Sequence, residues 1–313
     1  MNKDKATAIP PHLGRQDSSP LLTIALPVFN GGTVLDLAVS SLFNQSFSDW
    51  ELLILDDGST DGAVDRLPFL DDRRVRVICD GCNKGLAVRL NEAIKQAQGA
   101  YFARMDHDDI CHPDRFARQI EFLQANPDID LLATQCLIMD EQEQITGTLP
   151  AAITHKDICR HPWQGFYMAH PTWLGKTSWF RTHLYRNPGP YCSEDQELLL
   201  RASLVSRYHT LPINLLAYRV RAHTAWQKLL RTRITLAKVQ IEYFVERGRY
   251  DGALLSCLAA VLRIVRDMLR LLRLLPHKSL RILSNHEIPH RELNEWNTLI
   301  TNLKTHRGSS VHT

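Results

Sequence analysis

Short apolar runs alternate with amphipathic stretches along the first half of the chain, and a polar turn closes each run. Residues 21–28 (LLTIALPV) are continuously apolar and stop at Asn30-Gly31-Gly32. That is the pattern of a strand buried on both faces. Over residues 33–43, Val34, Leu35, Ala38 and Leu42 recur at helical spacing. Residues 50–55 (WELLIL) form a second apolar run, ending at Asp56-Asp57-Gly58-Ser59. Residues 75–79 predict a third strand and 86–97 a helix closed by Gly99. Residues 101–105 predict a fourth strand, ending at Asp106-His107-Asp108-Asp109. Pro113 opens a helix with Phe116, Ile120 and Leu123 on one face, and Asn126-Pro127 stops it. Residues 129–139 predict a fifth strand.

Strands that alternate with helices imply right-handed βαβ units. The predicted class is therefore α/β, a Rossmann-like, mostly parallel sheet with helices on both faces. Ligands of such sheets bind beyond the carboxyl ends of the strands. The polar clusters fall there: Asn30-Gly31-Gly32, Asp56-Asp57-Gly58, Asn83-Lys84-Gly85 and the acidic group at 106–109. After residue 140 the pattern loosens. Residues 161–189 are rich in Trp, His, Pro and Gly, residues 193–204 read as a helix, and 211–220 as a strand. The predicted division is a disordered leader (1–20), a main domain (21–220, in halves 21–140 and 141–220), a basic helical region (221–283) and a loose polar tail (284–313).

Composition narrows the class. The chain has 313 residues, 44% hydrophobic and 23% charged, as in an ordinary folded domain. A mainly disordered chain, a collagen-like fibre and a polytopic membrane protein are excluded. Residues 1–20 lack the apolar core of a signal peptide. No run reaches 18 uncharged apolar residues, so the expected location is the cytoplasm. The formal balance of +3 hides a split. Residues 1–220 carry 21 basic and 27 acidic side chains, whereas residues 221–283 carry 13 and 4. Such asymmetry points to two tasks in one chain. The seven cysteines are irregularly spaced, which favours free thiols over a disulfide framework. Cys79-x-x-Cys82, with His107, Cys111 and His112 downstream, is half of a zinc pattern. The second close pair of a structural zinc site is missing, so ordinary thiols are expected.

The sharpest local signal is Asp106-x-Asp108, with Asp109 beside it. Two carboxylates at a strand end can share a hard cation, Mg²⁺ or Mn²⁺, whose shell is completed by substrate phosphates and water. The plainer reading is a solvated acidic turn before a helix. Asp57 can accept hydrogen bonds from a base or ribose, or serve a simple Asx turn. Lys84 and Gly85 precede a helix whose N-terminus suits a phosphate, or they form an ordinary cap. Ser193-Glu194-Asp195 precedes an apolar helix. It offers a general base for a hydroxyl, or a good helix cap. No G-x-G-x-x-G follows the first strand, so the dinucleotide fingerprint is absent.

In order, LPVFN, LDDGSTD, NKGLAVRLNEAI, ARMDHDDICHPDRFARQIEFL, HPTWLGKTSWFR and SEDQELLLR resemble the family 2 glycosyltransferases of GT-A fold, over about residues 21–220. The resemblance implies inverting transfer of a sugar from a nucleotide donor, often UDP-linked, to an acceptor hydroxyl. It implies Val28 and Asn30 by the nucleoside, Asp57 at the base or ribose, and Lys84 with Gly85 near the pyrophosphate. Asp106 would meet the ribose or the metal, Asp108 would ligate Mn²⁺ or Mg²⁺, and Asp195 would be the base, supported by Glu194. His170 would line the acceptor side. The Q-x-x-R-W run of processive members is absent after the SED, which implies addition of one sugar.

Arg263, Arg266, Arg270 and Arg273 span an arc of roughly 80° on a helix, among many leucines. A basic amphipathic helix of this kind suits an anionic membrane. The alternative is a helix packed on the main domain with its arginines outward. Nucleic-acid binding is not expected, because stacking aromatics are sparse here. Together these features predict a lipid-linked saccharide acceptor at the inner face of a bacterial membrane. Two other readings remain. A nucleotidyltransferase would need a basic loop after the first strand, and 26–32 (LPVFNGG) has no Lys or Arg. A non-catalytic nucleotide-sugar-binding subunit would not need Asp108 and Asp195.

Overall fold

Every apolar run of the first half becomes a strand in the computed structural model, which describes residues 19–220, 225–272, 274 and 288–309. In chain order the first elements are β1 (Leu22–Val28), α1 (Val34–Phe43), β2 (Trp50–Asp56), β3 (Val75–Cys79), α2 (Leu86–Gln96) and β4 (Tyr101–Arg104). Then come β5 (Ile110–Cys111), α3 (Arg115–Ala125), β6 (Leu131–Met139), β7 (Ile145–Thr148), α4 (His155–Ile158), β8 (Leu174–Lys176) and α5 (Thr177–Thr182). The chain continues with α6 (Glu194–Ala202), β9 (Tyr208–Arg219), α7 (Trp226–Glu246), α8 (Tyr250–Leu271) and α9 (His290–Ser309).

The strands join one sheet in the order β3-β2-β1-β4-β8-β6-β9-β5, with β7 paired to β6. β3, β2, β1 and β4 are mutually parallel, as are β6 and β9. β8 enters antiparallel between β4 and β6. The sheet is thus mostly parallel, as the strand–helix alternation predicts. Its second half is mixed, which the looser pattern after residue 140 does not reveal.

Both faces are covered. Along β2, Leu52 and Ile54 pack with Leu35, Val39 and Leu42 of α1. Their neighbours Leu53 and Leu55 pack with Leu90 and Ile94 of α2. Successive strand side chains point to opposite faces, so a continuous apolar run is what a doubly covered strand requires. Register then aligns the strand ends. Val28 stands opposite Asp56, and Asp56 opposite Cys79. The turns after β1, β2 and β3 therefore emerge along one edge.

Two expectations are corrected. The tail 284–313 is not a loose segment where it is described. α9 places Trp296, Ile300 and Leu303 in a buried cluster with Leu37, Ile110, Leu137, Met139 and Ala217. Lys304 closes it through Glu143 at 2.6 Å. The arginine stripe also faces the opposite way. Arg263 and Arg270 are half-buried and Asp267 is fully buried, whereas Leu254, Leu258, Val261, Leu262, Val265 and Met268 are exposed. The cause is the small-residue face of α8. Gly252, Ala253, Ser256 and Ala260 allow close approach to α7, and a Cβ on Gly252 would lie 2.4 Å from the Phe244 ring. Only Arg266 is exposed, and Arg273 lies outside the described residues.

The leader 1–20 also lies outside them, apart from its last two residues. No helix among the described residues is long and apolar enough to cross a membrane. All seven cysteines are free thiols.

Candidate active site

The first part of the site is the edge formed by β1, β2 and β3. Val28 is buried, and its carbonyl accepts the Asp57 N–H at 2.8 Å. Asn30 is exposed with a φ of 49°. Its N–H donates to Ser59 Oγ at 3.0 Å, and its Oδ1 accepts from Thr60 N–H at 2.9 Å. Gly58 lets the two turns meet: its φ is 75°, and a Cβ there would lie 2.9 Å from the Cys82 backbone. Asp56 accepts from the Ser59 N–H at 2.9 Å and from Cys79 Sγ at 3.4 Å.

Asp57 is nearly buried and fully engaged by protein donors. Its carboxylate accepts from the N–H groups of Lys84 (2.7 Å) and Gly85 (3.0 Å) and from Arg89 Nε (2.9 Å). It sits at the start of α2, where Gly85 is the N-cap. The positive helix end is thereby taken up by the protein itself. Lys84 bonds to Asp80 and, at 2.9 Å, to Glu92. Burying Arg89, at 0% exposure, demands partners. It finds Asp57, Asp80 (2.7 Å) and Glu92 (2.8 Å). Arg89 holds this whole loop, although only an arginine at an otherwise apolar helix position marks it in the sequence.

The second part follows β4. Arg104 is 2% exposed at the end of a buried strand. It grips Asp106 with two nitrogens, Nη1 at 3.0 Å and Nη2 by a shorter contact. Arg115 Nη2 donates to the Arg104 carbonyl at 2.9 Å, fixing that strand end. Asp108 is half-buried, and its carbonyl accepts from Arg219 Nε at 2.8 Å. Asp109 is fully buried. Its Oδ1 accepts the Arg219 N–H at 2.9 Å, and its Oδ2 has no partner among the described residues. Burial, then the charges of Asp106 and Asp108, push the Asp109 carboxyl well above the usual range.

The third part comes from the second half of the chain. α6 starts at Glu194, with Ser193 at its N-cap position making no side-chain cap bond. Gln196 Nε2 donates to Asp195 Oδ2 at 3.1 Å. Gln196 also clasps Phe166, accepting its N–H at 2.8 Å and donating to its carbonyl at 3.3 Å. His170 Nε2 and the Tyr185 hydroxyl lie 2.7 Å apart, and Asn91 exchanges two hydrogen bonds with the Tyr185 backbone. Burial, then the Arg104 charge, hold His170 well below its ordinary value, so the imidazole is neutral.

The second and third parts form one electrostatic unit. The Arg104 charge acts on Asp106, Tyr185, Asp109 and Glu194. Burial, then the Asp195 charge, push the Glu194 carboxyl up to about 7. Burial also raises Asp195. Two neighbouring, partly desolvated carboxylates cannot both ionise easily, and such pairs are found where proton transfer is done. Of the residues picked from the sequence, the fold brings Asp106, His170, Glu194 and Asp195 together around Arg104. Arg89, Arg104, Tyr185, Gln196 and Arg219 carry no motif of their own. Only Arg89 and Arg104, each a charge inside an otherwise apolar stretch, left a local trace.

A hard divalent cation suits this donor set but would not be held by it alone. Among the described residues no three Asp, Glu, His or Cys side chains converge on one point. Mg²⁺ and Mn²⁺ are commonly bound by one or two carboxylates, with substrate phosphates and water completing the shell.

This is an α/β protein whose acidic crevice opens past the carboxyl ends of a mostly parallel sheet. Residues 23–184, just over half of the chain, match the profile described as "Glycosyl transferase family 2". The chain belongs to that family. A relative named UDP-Glc:alpha-D-GlcNAc-diphosphoundecaprenol beta-1,3-glucosyltransferase WfgD, from Escherichia coli, is 31% identical over 106 residues. That stretch is 34% of this chain and 42% of the relative. The solved structure of S. aureus TarS in complex with UDP-GlcNAc superposes with a TM-score of 0.61 at 14% identity, covering 90% of this chain and 80% of the other. A mannosyltransferase from Pyrobaculum calidifontis, solved with GDP-Man and Mn²⁺, gives 0.52 at 14% identity, with 94% and 88% covered. The structural likenesses establish the GT-A-type fold.

Proposed function

We propose that the protein moves a single sugar from a nucleotide-sugar donor, UDP-linked, to a hydroxyl of a lipid-linked saccharide. The reaction inverts the anomeric carbon and serves the synthesis of a bacterial surface polysaccharide. The carrying observation is the half-buried Glu194–Asp195 pair beside Arg104 and Asp106. The named relative, which uses a UDP sugar and a diphosphoundecaprenol-linked acceptor, supports the choice of donor and acceptor class.

A hydroxyl is a poor nucleophile near neutral pH, so it needs a base within hydrogen-bond reach. Asp195 takes the hydroxyl proton, held by Gln196, and Glu194 tunes its basicity. The acceptor oxygen forms its bond to the anomeric carbon as the bond to the diphosphate oxygen breaks. The nucleoside diphosphate departs on the opposite side of the sugar, which inverts the centre. Val28, Asn30 and Asp57 flank the nucleoside, and Lys84 and Gly85 line the approach to its diphosphate. Asp108 and Asp106 would hold Mn²⁺ or Mg²⁺, which supplies positive charge for the diphosphate leaving group. Arg104 fixes Asp106 in place. His170, neutral and bonded to Tyr185, shapes the acceptor side.

The apolar outer face of α8 is read as a peripheral contact with the cytoplasmic leaflet. This keeps the membrane association predicted from the sequence but assigns it to leucines rather than to the arginine stripe.

The test is incubation of the full chain with Mn²⁺ and a panel of nucleotide sugars. One donor should be hydrolysed, or should raise the melting temperature. A panel with no hydrolysis and no thermal shift would overturn the reading. Asp195→Asn should reduce transfer by at least about 10³-fold and leave donor-dependent thermal protection in place. Unchanged turnover would remove Asp195 from the role of base.

A further inference from the structure

The α7–α8 hairpin is polarised in charge. Phe244 packs on Gly252, and Arg233 bonds to Asp267, so the helices run antiparallel. At the turn end Glu242, Glu246 and Asp251 are offset by Arg247 and Arg249, which pair with Glu246 and Asp251. At the other end, Arg233, Arg263, Arg266 and Arg270 surround a single carboxylate, Asp267.

That carboxylate does not neutralise them. Asp267 is fully buried. Its Oδ2 accepts from Arg233 Nε at 3.0 Å, and its Oδ1 has no partner among the described residues. Arg263 Nη2 donates to the Trp163 carbonyl at 3.2 Å. The buried Nη1 of Arg263 and Nε of Arg270 have no partner among the described residues. Burial, then the charge of Arg233, depress the Arg263 guanidinium. Clustered, partly desolvated guanidiniums are costly without an anion. Their planar forks match phosphate oxygens two at a time.

The position of the cluster points to one anion. Trp163 and Phe166 belong to one short loop. Gln240 of α7 holds it through the Pro162 carbonyl at 2.7 Å, and Gln196 ties it to Asp195. Arg231 sits 4.0 Å above the Tyr191 ring, two residues before Ser193. The basic end of the hairpin is therefore the end that meets the acceptor side of the crevice. At 100° per residue, Arg266 stands on the exposed flank of α8, with Arg270 and Arg263 inward of it. Beyond that flank lie Leu258 and Leu262, 51% and 69% exposed.

We infer that Arg233, Arg263, Arg266 and Arg270 bind the diphosphate headgroup of a polyprenyl-linked acceptor, with its hydrocarbon chain lying along the bare leucine face of α8. The inference rests on the lipid-linked acceptor of the proposed function. One ligand then offers an anion to the guanidinium cluster and an apolar partner to the exposed face. Its first sugar is delivered toward Asp195.

The experiment is co-sedimentation of the full chain with three vesicle types: phosphatidylcholine alone, with phosphatidylglycerol, or with undecaprenyl diphosphate at equal surface charge. The diphosphate vesicles should bind at least about tenfold more tightly than the phosphatidylglycerol ones. Arg263→Gln with Arg270→Gln should abolish that preference, with folding checked by circular dichroism. Leu258→Gln with Leu262→Gln should weaken binding to all vesicles alike. Equal binding of wild-type protein to both anionic vesicle types would overturn the inference, whether or not the variants fold. So would inorganic pyrophosphate competing at the lipid's own affinity, which would mark a site for soluble anions. Nucleotide-sugar hydrolysis needs no vesicle. Hydrolysis or donor-dependent thermal protection without diphosphate preference sinks this inference alone, whereas neither hydrolysis nor a thermal shift with any donor sinks the sugar-transfer reading.

Discussion

Arg104 shows how one buried charge organises the crevice. Taking a guanidinium out of water is expensive, and removing one partner of a buried pair leaves the other uncompensated. Arg104 meets this cost through Asp106, at the end of a strand that is otherwise sealed. Its charge also reaches Glu194, ninety positions later in the chain. The Glu194 carboxyl is pushed up to about 7 by burial and by Asp195. A base works only when deprotonated, so turnover should rise with pH through the neutral range. Glu194→Gln removes a negative neighbour, which makes Asp195 easier to ionise. The acid limb of the kcat/KM profile should then move to lower pH, read from rates between about pH 5 and 9. A limb that stays in place would detach Glu194 from the base.

At the scale of elements, packing decided what local pattern left open. The strands of the first half are legible because a doubly covered strand needs an unbroken apolar run, and because turn residues mark its end. α9 was not legible. Trp296, Ile300 and Leu303 are three of only five apolar positions in a polar stretch, and their partners Leu37, Ile110 and Leu137 lie more than 150 residues away. Trp296 is 2% exposed, and its ring lies tilted against that of His112, with centroids 5.3 Å apart. Trp296→Ala should destabilise the fold by about 3–5 kcal/mol, measured by urea unfolding. A loss under about 1 kcal/mol would mean that α9 does not dock as described. α8 was legible as amphipathic but misread in orientation. Its leucines look like a core face, yet the small residues Gly252, Ala253, Ser256 and Ala260 fit against α7 more closely.

At the scale of the whole molecule, the sheet edge assembles a site that is incomplete by itself. Asp57 is saturated by α2 and Arg89, Asp106 is held by Arg104, and no three-ligand cage exists among the described residues. A cation should therefore bind well only with its nucleotide. Mn²⁺ alone should barely move the melting temperature, and UDP alone should move it modestly. Together they should stabilise by about 2–3 kcal/mol when free ligand exceeds Kd about a hundredfold. A full shift with Mn²⁺ alone, read by thermal unfolding, would reveal a preformed metal site instead.

The sequence by itself determined the alternation of strands and helices, the order of polar turns along the sheet edge, and the division into an acidic front and a basic rear. These are short-range properties, carried by period and by turn chemistry within a few residues. Only the tertiary structure decided which charges face one another. It joined Glu194 to Arg104, closed Asp57 with Arg89, docked α9 on the sheet and turned the arginines of α8 inward. Those outcomes depend on burial and on partners far apart in the chain, because the energy of a charge or an apolar side chain is set by what surrounds it in space.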